Sequence, residues 1–323
     1  MRVGITGATG FIGGALVPRL ARQGHELQLL DDRTGPTQVT YPEWPSLRED
    51  FQSPRGLAAL FDSDVVLHLA AVSGVMACAQ DPVGSSRVNV QGTGKLVEMC
   101  RDRRIPLAFA SSFAVVGAPE SLPVTESTPA RPTHEYARQK AVGEELVHRL
   151  AREGGVSSAV LRQSNVYGGY RVEGRPISKG NVIQLFARQA GEGRLAVNAP
   201  GTQRRDFVHI DDVGAHWEAV ARYLRDNASA AEPRTFNVAS GEALSVLEVA
   251  EKVRAAYSRG HPRATPVRIE VVPNPRAGIE LVEPGFSVAR ANTERILGVQ
   301  CQHTVDEALP GILAESDGGD RST

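Results

Sequence analysis

The opening fourteen residues, MRVGITGATGFIGG, constrain the fold more than any other stretch. Val3 to Thr6 read as a short buried strand. Gly7, Gly10 and Gly13 then stand three apart, and Gly14–Arg22 reads as a helix. A strand that runs into a glycine-rich turn and then a helix start suits a pyrophosphate. The glycines let the backbone turn tightly and approach the ligand, and the helix N-terminus offers free N–H groups to the anion. A dinucleotide is therefore expected at the front of the chain.

The rhythm that follows agrees. Apolar runs at Leu27–Leu30, Val65–Leu69, Leu107–Ala110 and Ser158–Leu161 read as strands, and Val88–Arg101 and Tyr136–Arg152 read as helices between them. Alternation of this kind gives βαβ units and a parallel sheet, with ligands bound beyond the C-terminal ends of the strands. Polar or small residues stand at those ends: Asp31, Ala70–Ala71, Ser111–Ser112 and Arg162. From about Tyr170 the rhythm loosens, with helices expected at Val182–Glu192, Asp212–Arg225 and Val246–Ala256. The domains are read as 1–169, a dinucleotide-binding part to which some later segments return; 170–314, mainly a substrate lobe; and 315–323, a polar disordered tail.

Composition excludes several function classes. The 323 residues are 41% hydrophobic, enough for a sizeable core. Lys+Arg 36 against Asp+Glu 37 provides no nucleic-acid surface and no basic membrane patch. No apolar run reaches the roughly 18 residues that span a bilayer, and the chain starts directly in a strand, so no leader is expected. Cys78, Cys100 and Cys301 lie too far apart for a metal-ligand spacing or a disulfide framework, which fits a cytoplasmic protein with no metal site.

Asp31 ends the second strand, about 20 residues after the glycines, where a carboxylate accepts from the adenosine ribose 2′-OH and repels a 2′-phosphate. NAD is therefore expected over NADP. Asp32 adds to that sign and Arg33 opposes it.

Tyr136-Ala-Arg-Gln-Lys140 places a phenol and an ammonium one helical turn apart on one face. A phenol near its ordinary pKa of about 10 is a poor base at neutral pH. A lysine cation and the positive ring of an oxidised nicotinamide would both favour the phenolate. A hydroxyl from Ser111–Ser112, at the end of the preceding strand, could share a substrate proton.

With these residues the chain resembles the extended short-chain dehydrogenase/reductases of the nucleotide-sugar epimerase and dehydratase group. Thr6–Gly13 (TGATGFIG), His68–Ala71 (HLAA), Asn89–Thr93 (NVQGT), Ser111–Gly117 (SSFAVVG), Tyr136–Lys140 (YARQK), Asn165–Gly168 (NVYG) and Arg204–Val213 (RRDFVHIDDV) occur in the group's order. The resemblance implies a Rossmann-like doubly wound α/β sheet with a smaller C-terminal substrate lobe, and a homodimer paired through two helices, with Leu96, Val97, Met99, Leu146, Val147 and Leu150 as apolar candidates. It implies that Gly7, Gly10, Phe11 and Ile12 hold the pyrophosphate, Asp31 and Asp32 the adenosine ribose, and Asp50 and Phe51 the adenine. Leu69, Ala70, Ala71, Asn89 and Ser111 would line the cofactor, Ser111 more as a structural contact, and Lys140 would also bond the nicotinamide ribose. Ser112, Tyr136 and Lys140 would be catalytic. Ser112, Asn165, Asn181, Val182, Arg205 and Arg276 would take the substrate, a nucleotide-diphosphate sugar, with the two arginines on its phosphates. Asp206 reads as a structural partner, Asp211 and Asp212 as a helix cap, His209 as core or supporting, and His68 as a satisfied strand-end histidine.

The chain also departs from the group. Phe113-Ala114 follows the catalytic serine, where the 4,6-dehydratases carry an Asp-Glu pair and the decarboxylases a glutamate. Elimination needs a group to protonate the leaving hydroxyl, so 4-epimerisation with a retained NAD is the expected activity, and an NAD(P)H-dependent ketosugar reductase is the alternative that Arg33 supports. Val116 stands for the usual tyrosine, Gln163-Ser164 for bulkier residues and Gly169 for a proline.

Overall fold

The computed structural model describes residues 1–35, 37–274 and 286–318. In chain order the first part runs β1 (Arg2–Thr6), α1 (Phe11–Arg22), β2 (Glu26–Asp31), β3 (Leu47–Arg48), α2 (Pro54–Ala58), β4 (Val65–His68), α3 (Val75–Gln80), α4 (Pro82–Ser86), α5 (Thr93–Arg103), β5 (Leu107–Ser112), α6 (Glu135–Gly154) and β6 (Ser158–Gln163). There follow β7 (Asn165–Tyr167), β8 (Gly169–Val172), β9 (Arg175–Ser178), α7 (Val182–Gly191), β10 (Arg194–Asn198), β11 (Arg204–His209), α8 (Ile210–Asp226), β12 (Arg234–Val238), β13 (Ala243–Ser245), α9 (Val246–Gly260), β14 (Arg268–Val272), α10 (Ala291–Leu297) and α11 (Val305–Gly318).

The main sheet is parallel, in the order β3-β2-β1-β4-β5-β6-β12. Its order reverses between β1 and β4, the switch point at which open α/β sheets bind ligands. Both faces are covered, which is why the strands read as near-continuous apolar runs. Val65 and Leu67, Ala108 and Ala110, and Ala159 and Leu161 enter the core shared with α1 and α8, around Trp217. Their alternates Val66, Leu107, Phe109 and Val160 face the opposite core, under Leu96, Met99, Val147 and Leu150 of α5 and α6. The doubly wound expectation holds.

A second core lies in the C-terminal lobe, where α7, α9 and α11 enclose Phe186, Val249, Leu309 and Ile312 with Leu195 and Val197 of β10. The chain returns to the main sheet at β12, which pairs with β6.

Three local expectations change. The first helix starts at Phe11, directly after the glycine turn, because Gly10 in extended conformation is its cap. The helix expected over Val88–Arg101 is a π-helical turn at Arg87–Gly92 leading into α5. Helix α11 extends through residues 315–318 of the expected tail. Ile312 and Leu313 anchor it in the lobe core, and the Ser316 hydroxyl donates to the Ile312 carbonyl at 3.0 Å.

Candidate active site

The glycine turn is packed backbone against backbone. Gly7 has φ +72, and a Cβ there would lie 2.6 Å from the backbone nitrogen of Ala70. A Cβ on Gly13 would meet the Gly7 carbonyl at 2.2 Å. Helix α1 has no side-chain cap and no acidic residue in its first turn, so its positive end remains open to an anion. Phe11 is buried, with its ring stacked on Tyr170 at 5.7 Å, and the Tyr170 hydroxyl donates to the Phe11 carbonyl at 2.9 Å. Ile12 is half-buried beside it.

Asp31 sits at the end of β2 and accepts from the amides of Thr9 (3.0 Å) and Arg33 (2.7 Å), so its carboxylate is fixed against the glycine turn. Asp32 is exposed and accepts from Thr34. The Arg33 guanidinium turns away to donate to the Ser46 hydroxyl at 3.0 Å. These residues fit NAD: an open helix end for the pyrophosphate, and a carboxylate where a 2′-phosphate would be repelled. Asp50 is exposed and accepts from the Gln52 amide, whereas Phe51 is buried against His68, its ring 5.0 Å away.

Leu69, Ala70 and Ala71 follow β4 and are half-buried. Asn89 is buried, and its amide spans both the N–H and the carbonyl of Val72 at 2.9 Å each and donates to Gln139 at 2.7 Å. The Asn89 side chain thereby ties the loop after β4 to α6. Gln139 also donates to Ser85 (2.9 Å) and Glu135 (2.9 Å). Sequence reasoning missed this role of Gln139, although it stands beside Lys140.

The two serines divide. The Ser111 hydroxyl donates to Glu144 at 2.5 Å, and Glu144 pairs with buried Arg162 at 2.8 Å. Ser111 is thus built into a buried ion pair. Ser112 is half-buried and accepts from the Ala114 amide at 3.2 Å, and its hydroxyl lies close enough to the Tyr136 phenol to favour the phenolate. Tyr136 lies in the first turn of α6, stacked on the ring of His134, whose side chain caps the helix. Lys140, one turn on, is buried and donates to the Ala110 carbonyl at 2.7 Å, with its ammonium 4.7 Å from the Phe109 ring centroid.

The electrostatics differ from the sequence expectation. Burial pushes the Tyr136 phenol up to about 12, nearby Cys78 adds to the rise, and the Ser112 hydrogen bond opposes it. Burial pulls Lys140 down to about 8, partly offset by Cys78 and Glu144 and reinforced by the charge of Lys179. The lysine alone does not produce a phenolate, because packing α6 on the sheet desolvates both groups. The sequence marks Cys78 only as a cysteine without a metal or disulfide partner and does not mark Lys179, because nothing local reveals their approach to this helix.

On the lobe side, Asn165 is exposed and donates to the Asp206 carbonyl at 3.0 Å. Asn181 caps α7, accepting from the amides of Ile183 (2.8 Å) and Gln184 (3.2 Å) and donating to the Val166 carbonyl at 2.8 Å. Asn181 and Val182 line a cavity of about 1240 Å³, with Gln184, Asn198, Gln203 and Tyr257; Ser112, Tyr136 and Lys140 are not part of its lining. Arg205 is half-buried and donates to the Arg204 carbonyl at 2.8 Å. Arg276 lies outside the described residues.

Asp206 is buried and structural. It accepts from Ser164 (2.6 Å), from the Ser240 amide (2.9 Å) and hydroxyl (3.0 Å), and from the Gly241 amide (2.7 Å). The cap of α8 is His209, which accepts from the Asp211 amide at 3.3 Å, rather than Asp211 or Asp212. Asp212 instead accepts from the amides of Gln302 and His303, because a distant segment folds onto it. Phe113, Val115 and Val116 are buried in a small apolar cluster, so the site's usual tyrosine position is here core. Gln163 accepts from the Trp217 indole at 3.3 Å.

The family described as NAD dependent epimerase/dehydratase matches residues 3–239. The UDP-glucose 4-epimerase of Mycolicibacterium smegmatis is 30% identical over 267 residues, 79% of this chain and 82% of that protein. Among solved structures, the Thermus thermophilus UDP-glucose 4-epimerase complexed with NAD is 27% identical with TM-score 0.80, covering 99% of this chain and 100% of that one. TunA, an NAD-dependent NDP-hexosamine 5,6-dehydratase of tunicamycin biosynthesis, is 26% identical with TM-score 0.80, covering 99% and 98%.

Proposed function

This chain belongs to the NAD-dependent epimerase/dehydratase family, and on that footing we propose that it epimerises a nucleotide-diphosphate sugar at C4 through a 4-keto intermediate. NAD, when bound, supplies the hydride acceptor and then the donor. The observation that carries the reading is the grouping of Ser112, Tyr136 and Lys140 with Phe113 and Ala114 where an elimination would need carboxylates.

Each residue has a defined task. Gly7, Gly10, Phe11 and Ile12 hold the pyrophosphate, Asp31 and Asp32 the adenosine ribose, and Asp50 and Phe51 flank the adenine. The loop of Leu69, Ala70 and Ala71, tied down through Val72 by Asn89, would line the nicotinamide side, with Ser111 as a structural contact beneath it. The Tyr136 oxygen removes the proton of the sugar 4-OH and later returns it. Ser112 bonds both that hydroxyl and the phenol, so the proton moves along a fixed path. Lys140 orients the nicotinamide ribose and supports the phenolate once the pocket is filled. Asn165, Asn181 and Val182 position the sugar nucleotide, and Arg205 and Arg276 pair with its phosphates. A 4-keto sugar that turns over in the pocket gives the inverted centre.

The Arg33 guanidinium donates to the Ser46 hydroxyl at 3.0 Å, which counts against its use on a 2′-phosphate and so against the NADPH-dependent reductase. An NADH-dependent reductase, which would use the same Ser112, Tyr136 and Lys140, is separated by the test below. Pairing of two copies through α5 and α6 remains part of the proposal. Leu96, Met99, Val147 and Leu150 are committed to the sheet and Val97 packs partly against the same core, which leaves Leu146 and exposed Val142 for a partner. Among the described residues, no helix is long and apolar enough to cross a membrane.

The test is to incubate the NAD-loaded protein with UDP-, dTDP- and GDP-hexoses and hexuronates and follow the sugar protons by NMR. Interconversion of a C4 pair with no net NADH change supports the reading. Stoichiometric NAD(P)H consumption, or no interconversion of any pair, overturns it.

A further inference from the structure

We propose that His209, Asp211 and His303 form a site for one divalent transition-metal ion, with zinc as its best-fitting occupant, and that the ion staples the C-terminal segment to the start of α8. Each of the three residues presents one donor atom, and all three atoms lie within 4.8 Å of one another. One carboxylate oxygen of Asp211 lies 3.5 Å from His209 Nδ1 and 3.9 Å from His303 Nε2. Tetrahedral zinc, with bonds of about 2.0–2.1 Å, separates neighbouring donors by about 3.4 Å. The two Asp211 distances need to shorten by only about 0.1 and 0.5 Å, whereas the two imidazole nitrogens, held within 4.8 Å of each other, close the set by a ring movement of up to about 1.4 Å.

The orientation of each ring suits this use. Asp212 lies behind His303 and accepts from its Nδ1 at 3.0 Å, which leaves the Nε2 lone pair facing the cluster. His209 is fixed from the other side. Its Nε2 packs so closely on Gly168 that a Cβ there would lie 2.3 Å away, so Nδ1 faces the ion. That nitrogen accepts only the long 3.3 Å bond from the Asp211 amide, which a metal would replace. The imidazoles stack at 4.5 Å and 22° from parallel, so one ring must rotate to bring its in-plane lone pair onto a shared ion, and the more exposed His303 ring is the one placed to do so.

The charge balance also permits a cation. A helix N-terminus disfavours positive charge, but Asp211 and Asp212 both lie in the first turn of α8. Asp211 and His303 side chains are 57% and 41% exposed, so water can take a fourth position and the ion can enter. Two imidazoles and a carboxylate suit zinc better than magnesium or calcium. The consequence would be structural, since His303 is reached only after the chain has passed through β12, α9 and α10.

The experiment uses untagged, full-length, chelator-treated protein titrated with zinc chloride by calorimetry, with metal content measured by mass spectrometry. One saturable equivalent is expected, together with a rise of several degrees in the thermal midpoint. His303→Ala and Asp211→Asn should each lose both effects, and Cys301→Ser should retain them. If His303→Ala does not fold, Asp211→Asn alone decides. Absence of a saturable equivalent, wild-type zinc uptake by either folded variant, or loss of uptake in Cys301→Ser overturns the proposal.

Discussion

The Thr6 hydroxyl lies 2.7 Å from His68 Nδ1, and the bonds around this pair fix the direction of every proton in it. Thr93 Oγ1 donates to the Asn89 carbonyl at 2.7 Å, so it must accept from His68 Nε2 at 3.0 Å. His68 Nδ1 is then the acceptor, Thr6 donates to it, and Thr6 accepts from the Ala70 amide at 3.3 Å. One chain of bonds thus joins β1, the loop after β4 and the π-helical turn holding Asn89.

This histidine should make the fold acid-sensitive. Burial, with a contribution from Lys140, holds His68 down to about 3 from its ordinary 6.5. Its neutral form contributes stability that is fully present above pH 6.5 and is lost progressively as pH falls toward 3. The slope in that window reaches about 1.4 kcal/mol per pH unit. Urea midpoints measured at pH 7 and pH 5 should differ in the wild type, and the difference should shrink in His68→Asn.

Tyr136→Phe should cut turnover by about 10²–10⁴-fold, the usual contribution of one acid–base group. Bound NAD, measured by release on denaturation, should stay at wild-type occupancy. Retained activity would remove Tyr136 from the mechanism.

Lys140→Met should abolish turnover and raise the thermal midpoint. The folded-state pKa of Lys140 is held at about 8 by burial, below its ordinary 10.5. The charged lysine therefore destabilises the fold below pH 8, and stability from this group rises between pH 8 and 10.5. Differential scanning calorimetry at pH 7 and pH 10 checks the sign: the advantage of the variant should narrow at the higher pH.

Glu144→Leu should destabilise by about 3–5 kcal/mol, because it leaves the Arg162 guanidinium buried without its charge partner. Glu144→Leu with Arg162→Met should recover most of that loss. Chemical denaturation of the two variants tests both statements.

Gly7→Ala should lose the dinucleotide. At φ +72 an L side chain is strained, and its Cβ would come within 2.6 Å of the Ala70 backbone. Fluorescence titration with NADH should show the weakening.

Much of the fold and of the candidate site was legible because it rests on local pattern. The strand, glycine turn and helix of residues 2–22 follow from backbone sterics, and the apolar alternation of β4, β5 and β6 follows from burial on both faces. The pairing of Tyr136 with Lys140 follows from helical spacing. What stayed hidden depends on segments far apart in sequence. Nothing near Ser111 reveals that its hydroxyl belongs to Glu144 while Ser112 acts on the charge of Tyr136. Nothing near Asp212 reveals that it serves residues 302 and 303 and leaves the helix cap to His209.

The sequence by itself determined the architecture, the dinucleotide turn and the residue types available for chemistry, since these depend on spacing along one chain. Only the tertiary structure decided their charge states and partners. Desolvation raises Tyr136 and lowers Lys140, and it arises where α6 closes over the sheet. A pKa is set by the whole surrounding volume, and no stretch of sequence contains that volume.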